Sequence, residues 1–343
     1  MSHFTVLVIG ENLEGQLLPY EEQTTNPEYL EFENTEEKER KKYETESIDL
    51  YLLPNGEKVL KWKDKEIRPF INHFLPKNYD ESPFEQQAMF QETCEKAVES
   101  GILVPVDQKF TERYSSFEAY MEGWCGYDER DPKTGKYGYY HNPNSKWDWW
   151  TIGGRWTGYF KTKKGATGIL GKSGVFGNKP RGGWVDQVRK GDIDLEYMRE
   201  HARKQAVKEY DAFSAVVNGI EPPKKAWKDF YPDFGDDIQK AREEWHNHPW
   251  VKAISKSKLD CWNDPMEVYC VLEGGREKYI QRAVDSVIVP FAVLKDGQWF
   301  EKGKMGLAMI SDEINPDTWN EQVNKLIDEL PDETLITAVD CHI

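Results

Sequence analysis

Three polar side chains at the two extremes of the chain could do chemistry together. His3 lies in the opening run HFTVLVI, and Asp340 and His342 lie in the closing run TLITAVDCHI. Two imidazoles and a carboxylate can hold a divalent metal or perform acid–base work. Side chains alternate faces along a strand, so Asp340 and His342 share one face while Cys341 points to the other. His3 joins the pair if the two terminal strands are antiparallel neighbours in one sheet, which sets the start of one beside the end of the other. The alternative is a solvated strand rim with no site.

A second candidate is the stretch YGYYHNPNSKWDWWTIGGRWTGY at 137–159. It gathers His141, Lys146, Trp147, Asp148, Trp149, Trp150, Arg155 and Trp156 around a Gly153-Gly154 pair. Indoles bury much area and are stiff, so such a cluster makes a core or a recognition surface. As a core it is a buried strand and turn in which Arg155 stacks on an indole. As a surface it presents Arg and Trp, the residue types that dominate binding energy. Strand spacing puts aromatic groups on both faces. The basic, glycine-rich segment 161–183 follows, and Lys179 and Arg181 on it could close with Arg155 over an anion.

Other motifs carry less. ATGILGKS at 166–173 resembles a relaxed phosphate loop, but the following GVFGNKPRGG is a poor helix start, so the helix N-terminus that cradles phosphate is missing. His246 and His248 are two residues apart, whereas a helical zinc pair needs four, and a capping or surface role fits them better. No GxSxG elbow occurs. Neither a metal nor a cofactor is specified.

These residues need elements to position them. Residues 3–9 form a strand closed by Gly10, central in its sheet, with a short helix expected over 11–18. Acidic loop and helix follow to about residue 46, and LYLLPNGEKVLKW at 50–62 reads as a hairpin. Helices are predicted from Ser82–Pro83 to about residue 100, over 117–124, over 192–217 with an Asp192 cap, and in proline-broken pieces over 224–254. The last ninety residues read as a strand at 266–272, a helix or turn at 277–285, and a strand at 287–294 turning at Lys295-Asp296-Gly297 into Trp299 and Phe300. An amphipathic helix at 317–330 and a strand at 334–343 complete them.

The expected fold is therefore α+β, with a ferredoxin-like or related antiparallel sheet built from both chain ends. Residues 1–20 and 266–343 form that core, and 21–265 form a large aromatic-rich insertion that either packs with the core as one domain or stands apart from it. At 343 residues, 13% aromatic and 31% charged, the chain is globular in composition. A net charge of −16 disfavours direct binding to nucleic acid or to an anionic membrane. Five cysteines without a CxxC pair point to free thiols in a reducing cytoplasm. No apolar run reaches membrane-spanning length, and the start lacks a basic region and a cleavage site.

MSHFTVLVIG, NPNSKWDWWTIGGRWTG, RKGDID, PFAVLKDGQWFEKGKMG and TLITAVDCHI together resemble a family of uncharacterised proteins of tailed bacteriophages, over nearly the whole chain. The resemblance points to GGRW and DCHI as the places to look for chemistry. It implies a phage-encoded accessory protein in the host cytoplasm that binds a host protein or a nucleotide-like signal and thereby blocks host defence or redirects metabolism. The competing readings are a metal-assisted hydrolase or nucleotide-processing enzyme using His3, Asp340 and His342, and an acidic DNA mimic.

Overall fold

The computed structural model describes residues 2–79, 85–177, 179, 181–235, 237–259, 274–305 and 310–343. They divide into two compact units: 1–24 with 144–343, and 25–143. This differs from the expected division in that the aromatic stretch from Asn144 onward, and the long helix after it, belong with the chain ends. Hydrogen bonding explains the difference, because the aromatic strand is a strand of the terminal sheet itself.

The fold is α+β, and the sheet of the first unit is built from both chain ends. The N-terminal strand (His3–Ile9) sits between the C-terminal strand (Leu335–His342) and a strand at Ala292–Lys295. It runs antiparallel to the C-terminal strand, pairing His3 with His342 and Ile9 with Ile336. The sheet is mixed rather than wholly antiparallel, because the N-terminal strand is parallel to Ala292–Lys295. A parallel step needs a crossover, which the intervening helices supply. The hairpin Ala292–Lys295 to Gln298–Glu301 closes one side, with Asp296 and Gly297 at positive φ in its turn. On the other side the C-terminal strand has two neighbours in succession. Gln187–Arg189 pairs with its first half and the aromatic strand (Trp149–Gly154) with its second. Lys172–Ser173 lies parallel to the glycine end of the aromatic strand.

Alternation sorts the sheet into two faces. Leu7, Ile9, Ile336 and Ala338 pack under Met198 of the long helix (Leu195–Val216) and Trp319, Val323 and Ile327 of the C-terminal helix (Pro316–Asp328). Phe4, Val6, Val8, Val339 and Cys341 pack on the opposite face with Leu17 and Trp147. The long helix starts at Leu195 and is capped by Asp194, which accepts from the Tyr197 amide at 3.0 Å. Asp192, the expected cap, instead ends a 3₁₀ turn at Lys190–Asp192. The strand expected at 287–294 is confined to Ala292–Lys295, and Val287 and Val289 contribute to the core without pairing. The residues predicted as a strand at 266–272 lie outside the described ones, as do Ser82, Pro83, Cys261 and Cys270.

The second unit holds the expected hairpin, with Ser47–Leu52 paired to Lys58–Leu60. A third strand, Val104–Lys109, lies on its other side and carries no clear alternation in sequence. Glu31–Asn34 pairs separately with Gly138–His141. Helices Gln86–Glu99 and Phe117–Gly123 cover the cores, the second capped by Ser116.

Cys94, Cys125 and Cys341 are free thiols. Burial pushes the Cys94 thiol up to about 11 and raises Cys341 well above its ordinary value. The thiolate is the reactive form, so alkylation of Cys94 at pH 8 is expected to be on the order of a hundredfold slower than for a free cysteine. Peptide mapping after iodoacetamide treatment, native against urea-unfolded, reads this directly. Native labelling of Cys94 and Cys341 at the unfolded rate would refute it.

Candidate functional site

The pairing of the terminal strands brings the three predicted residues together. His3, Asp340 and His342 project from the same face of the sheet, at the end beyond Leu7 and Ala338. His3 Nδ1 is 2.8 Å from Asp340 Oδ1, and the His3 and His342 rings meet edge to face with centroids 5.0 Å apart. A fourth residue completes the group. His342 Nδ1 lies 2.7 Å from Asp148 Oδ1, and the Asp148 amide donates to the His342 carbonyl at 3.0 Å. Asp148 was legible only as a member of the aromatic stretch, because its register against His342 is set by a pairing between strands far apart in sequence.

Each imidazole is therefore tied at Nδ1 to a carboxylate. An ionised carboxylate only accepts, so Nδ1 carries the proton and Nε2 of the neutral ring keeps its lone pair. That arrangement fixes the ring and leaves Nε2 to take or give a proton, or to ligate a metal. Among the described residues no group of three or more His, Cys, Asp or Glu side chains is arranged to hold a metal ion.

Trp149 lies over this cluster. Its indole stacks on His342 at 5.2 Å with 15° between planes, meets His3 edge to face at 5.3 Å, and is 43% exposed. The neighbouring Trp150 faces the other way, packing on the core around Phe4 and Cys341. Beyond Ile152 the strand turns at Gly153 and Gly154, both at positive φ. The turn lets the Arg155 amide donate to Asp340 Oδ2 at 2.9 Å. Asp340 is thus held by His3 through one oxygen and by the turn through the other, and it is 1% exposed.

The remaining aromatic-stretch candidates do not form one surface. Trp147 is a core residue whose Nε1 donates to the Leu17 carbonyl, and Lys146 is paired with Glu301 at 2.8 Å. His141 belongs to the second unit, 3.6 Å from Glu33. Among the described residues Arg155 stacks on no indole; its guanidinium lies 5.8 Å from the Phe176 ring. Trp156 and Arg181 share a separate cavity. The phosphate-loop look-alike ends in Lys172–Ser173, a strand, with no helix behind it. His248 caps the helix Pro249–Lys256, its Nδ1 accepting from the Trp250 amide.

No motif in the sequence marks Asp186. It is fully buried, accepts from the Gly158 and Tyr159 amides through Oδ1 at 2.7 and 3.0 Å, and accepts from the Gly171 amide through Oδ2 at 2.8 Å. Burial nevertheless keeps its carboxyl above the ordinary range, against those three donors. Asp340 thus holds the GGRW turn at Arg155, and Asp186 holds the residues that follow it, Gly158 and Tyr159.

Comparison with protein-family models, curated proteins and solved structures returns no match.

Proposed function

We propose that this chain is a phage-encoded accessory protein whose joined chain ends form an acid–base site for a small nucleotide-like ligand. The observation that carries the reading is the pair of adjacent imidazoles, each tied at Nδ1 to its own carboxylate. An imidazole held in this way can take a proton at Nε2 and give it back, the acid–base service that assists hydrolysis or transfer at a phosphate ester. The half-exposed Trp149 indole beside them is a stacking platform for a heteroaromatic ring. The overall charge of −16 favours a small ligand over a nucleic-acid polymer.

The test is turnover of a panel of nucleoside phosphates and cyclic nucleotides, with and without a chelator, by the protein and its His3→Asn and His342→Asn variants. Asparagine keeps a donor near the position of Nδ1 and removes Nε2, so the carboxylates stay partnered while the proton-transfer atom is lost. Either substitution is expected to lower turnover by about 10²–10⁴-fold. Turnover unchanged in both variants, or none with any panel member, rules the acid–base reading out. Loss on chelation alone would reassign the imidazoles as metal ligands.

A second reading, capture of a host protein, draws on Val175 and Phe176, which are 96% and 82% exposed on the basic loop. Large exposed apolar groups of this kind mark interaction surfaces. A stoichiometric host protein that is captured by the native chain and lost with Phe176→Ser would favour it.

A further inference from the structure

The loop that carries the GGRW turn also walls a cavity distinct from the imidazole pair. It has a volume of about 210 Å³, and its lining includes Trp156, Tyr159, Arg181, Trp184, Met198 and His201. That is below the usual range for a drug-sized ligand, so the space suits a single ring with one substituent. Its walls are aromatic and thioether groups, which favour a flat, apolar body.

One strong charge faces this apolar wall. The Arg181 guanidinium carbon lies 4.3 Å from the centre of the Trp184 ring, and among the described residues no carboxylate pairs with it. Other arginines of the first unit do find one: Arg189 pairs with Glu11, Arg276 with Asp211 and Arg282 with Asp317. A guanidinium stacked on an indole is held flat, with its N–H fork free for two parallel hydrogen bonds to a carboxylate or phosphate. Two further polar groups line the cavity. The Tyr159 hydroxyl, protonated at neutral pH as any tyrosine is and with its pKa raised further by burial, is a donor. The His201 ring is stacked on Tyr197.

The walls are positioned rather than incidental. Asp186 fixes the backbone of Gly158 and Tyr159 from below, and the Trp184 amide donates to the Arg181 carbonyl at 3.1 Å. The segment 161–183 contains Lys161, Lys163, Lys164, Lys172, Lys179 and Arg181 and no acidic residue, in a chain with an excess of acid elsewhere. Locally, therefore, the field favours an anion.

We propose that this cavity binds a small monocyclic aromatic anion, its ring between Trp156 and Trp184 and its carboxylate or phosphate on Arg181. The proposal does not depend on chemistry at His3 and His342. The experiment is ¹⁹F NMR of 4-fluorobenzoate and of 4-fluorophenyl phosphate, each titrated with the full-length protein and with Arg181→Gln and His3→Asn. Line broadening by the native protein, weakened at least tenfold by Arg181→Gln, is expected, and that of 4-fluorobenzoate, which is no phosphate ester, is expected to be unchanged by His3→Asn; the probe that loses more on Arg181→Gln tells carboxylate from phosphate. Arg181 is exposed, so its substitution leaves the fold intact. No broadening with either probe, or broadening indifferent to Arg181→Gln, overturns the proposal.

Discussion

Gly154→Ala is expected to lower stability by about 2–4 kcal/mol and to release Asp340 from the turn. Gly154 has φ +56°, and a Cβ there would stand 2.3 Å from Asp340 Oδ2 and 2.4 Å from Asp340 Cβ. Asp340 cannot retreat, because it is buried between the Arg155 amide and the His3 ring. The left-handed conformation alone costs an alanine on the order of 1 kcal/mol. Gly165 provides the control: its φ is +85°, and nothing lies within 4 Å of the corresponding Cβ. Urea unfolding of the two variants separates the contributions, with Gly165→Ala losing only the backbone cost. If the two variants unfold alike, the turn is not packed on Asp340 as described. Because the turn holds one oxygen of Asp340 and His3 the other, Gly154→Ala is also expected to reduce any turnover that depends on His3.

Asp186→Ala is expected to cost about 3–5 kcal/mol, since it strands the buried amides of Gly158, Tyr159 and Gly171, each worth about 1–3 kcal/mol when unpartnered, with partial relief where water enters. Asp186→Asn keeps an acceptor for Gly158 and Tyr159 but turns a donor toward the Gly171 amide, so an intermediate loss is expected. The pH dependence has a definite sign. The folded carboxyl titrates above its unfolded value because burial opposes its charge, so its contribution to stability is fully present below the ordinary aspartate pKa. That contribution is lost as pH rises through the folded pKa. Asp186→Asn should remove this part of the pH dependence, which thermal melts from pH 3 to 7 would show. A variant as stable as the native chain, with an unchanged pH profile, would contradict the role of Asp186 as the anchor. Since Gly158 and Tyr159 line the aromatic cavity, Asp186→Ala should also abolish binding of the fluorinated probes.

The legible parts of this protein are those governed by short-range rules. The N-terminal strand announces itself by β-branched residues closed by Gly10, and the C-terminal helix by apolar spacing behind Asn315, which caps it. The hairpin at Asp296-Gly297 follows from its turn residues. Helix ends were less secure: Asp192 and Asp194 are both good caps in sequence, and only the hydrogen bond to the Tyr197 amide distinguishes them. Tryptophan-rich composition could not separate Trp147, a core residue, from Trp149, which lies half exposed over the histidines. The residue type is the same at both positions, and burial depends on which neighbour the strand meets.

For the candidate site, the period-two alternation of a strand already places Asp340 and His342 on one face and Cys341 on the other, because that geometry is local to three residues. An antiparallel pairing of the two ends then brings in His3. Tertiary structure alone supplies Asp148 as the partner of His342, the GGRW turn as the second support of Asp340, and Asp186 beneath that turn. Each of these contacts joins residues that sequence separates, from 28 positions for Asp186 and Gly158 to 194 for His342 and Asp148. No spacing rule encodes such a contact; it exists because backbone pairing across the sheet sets the register and buried carboxylates must find donors.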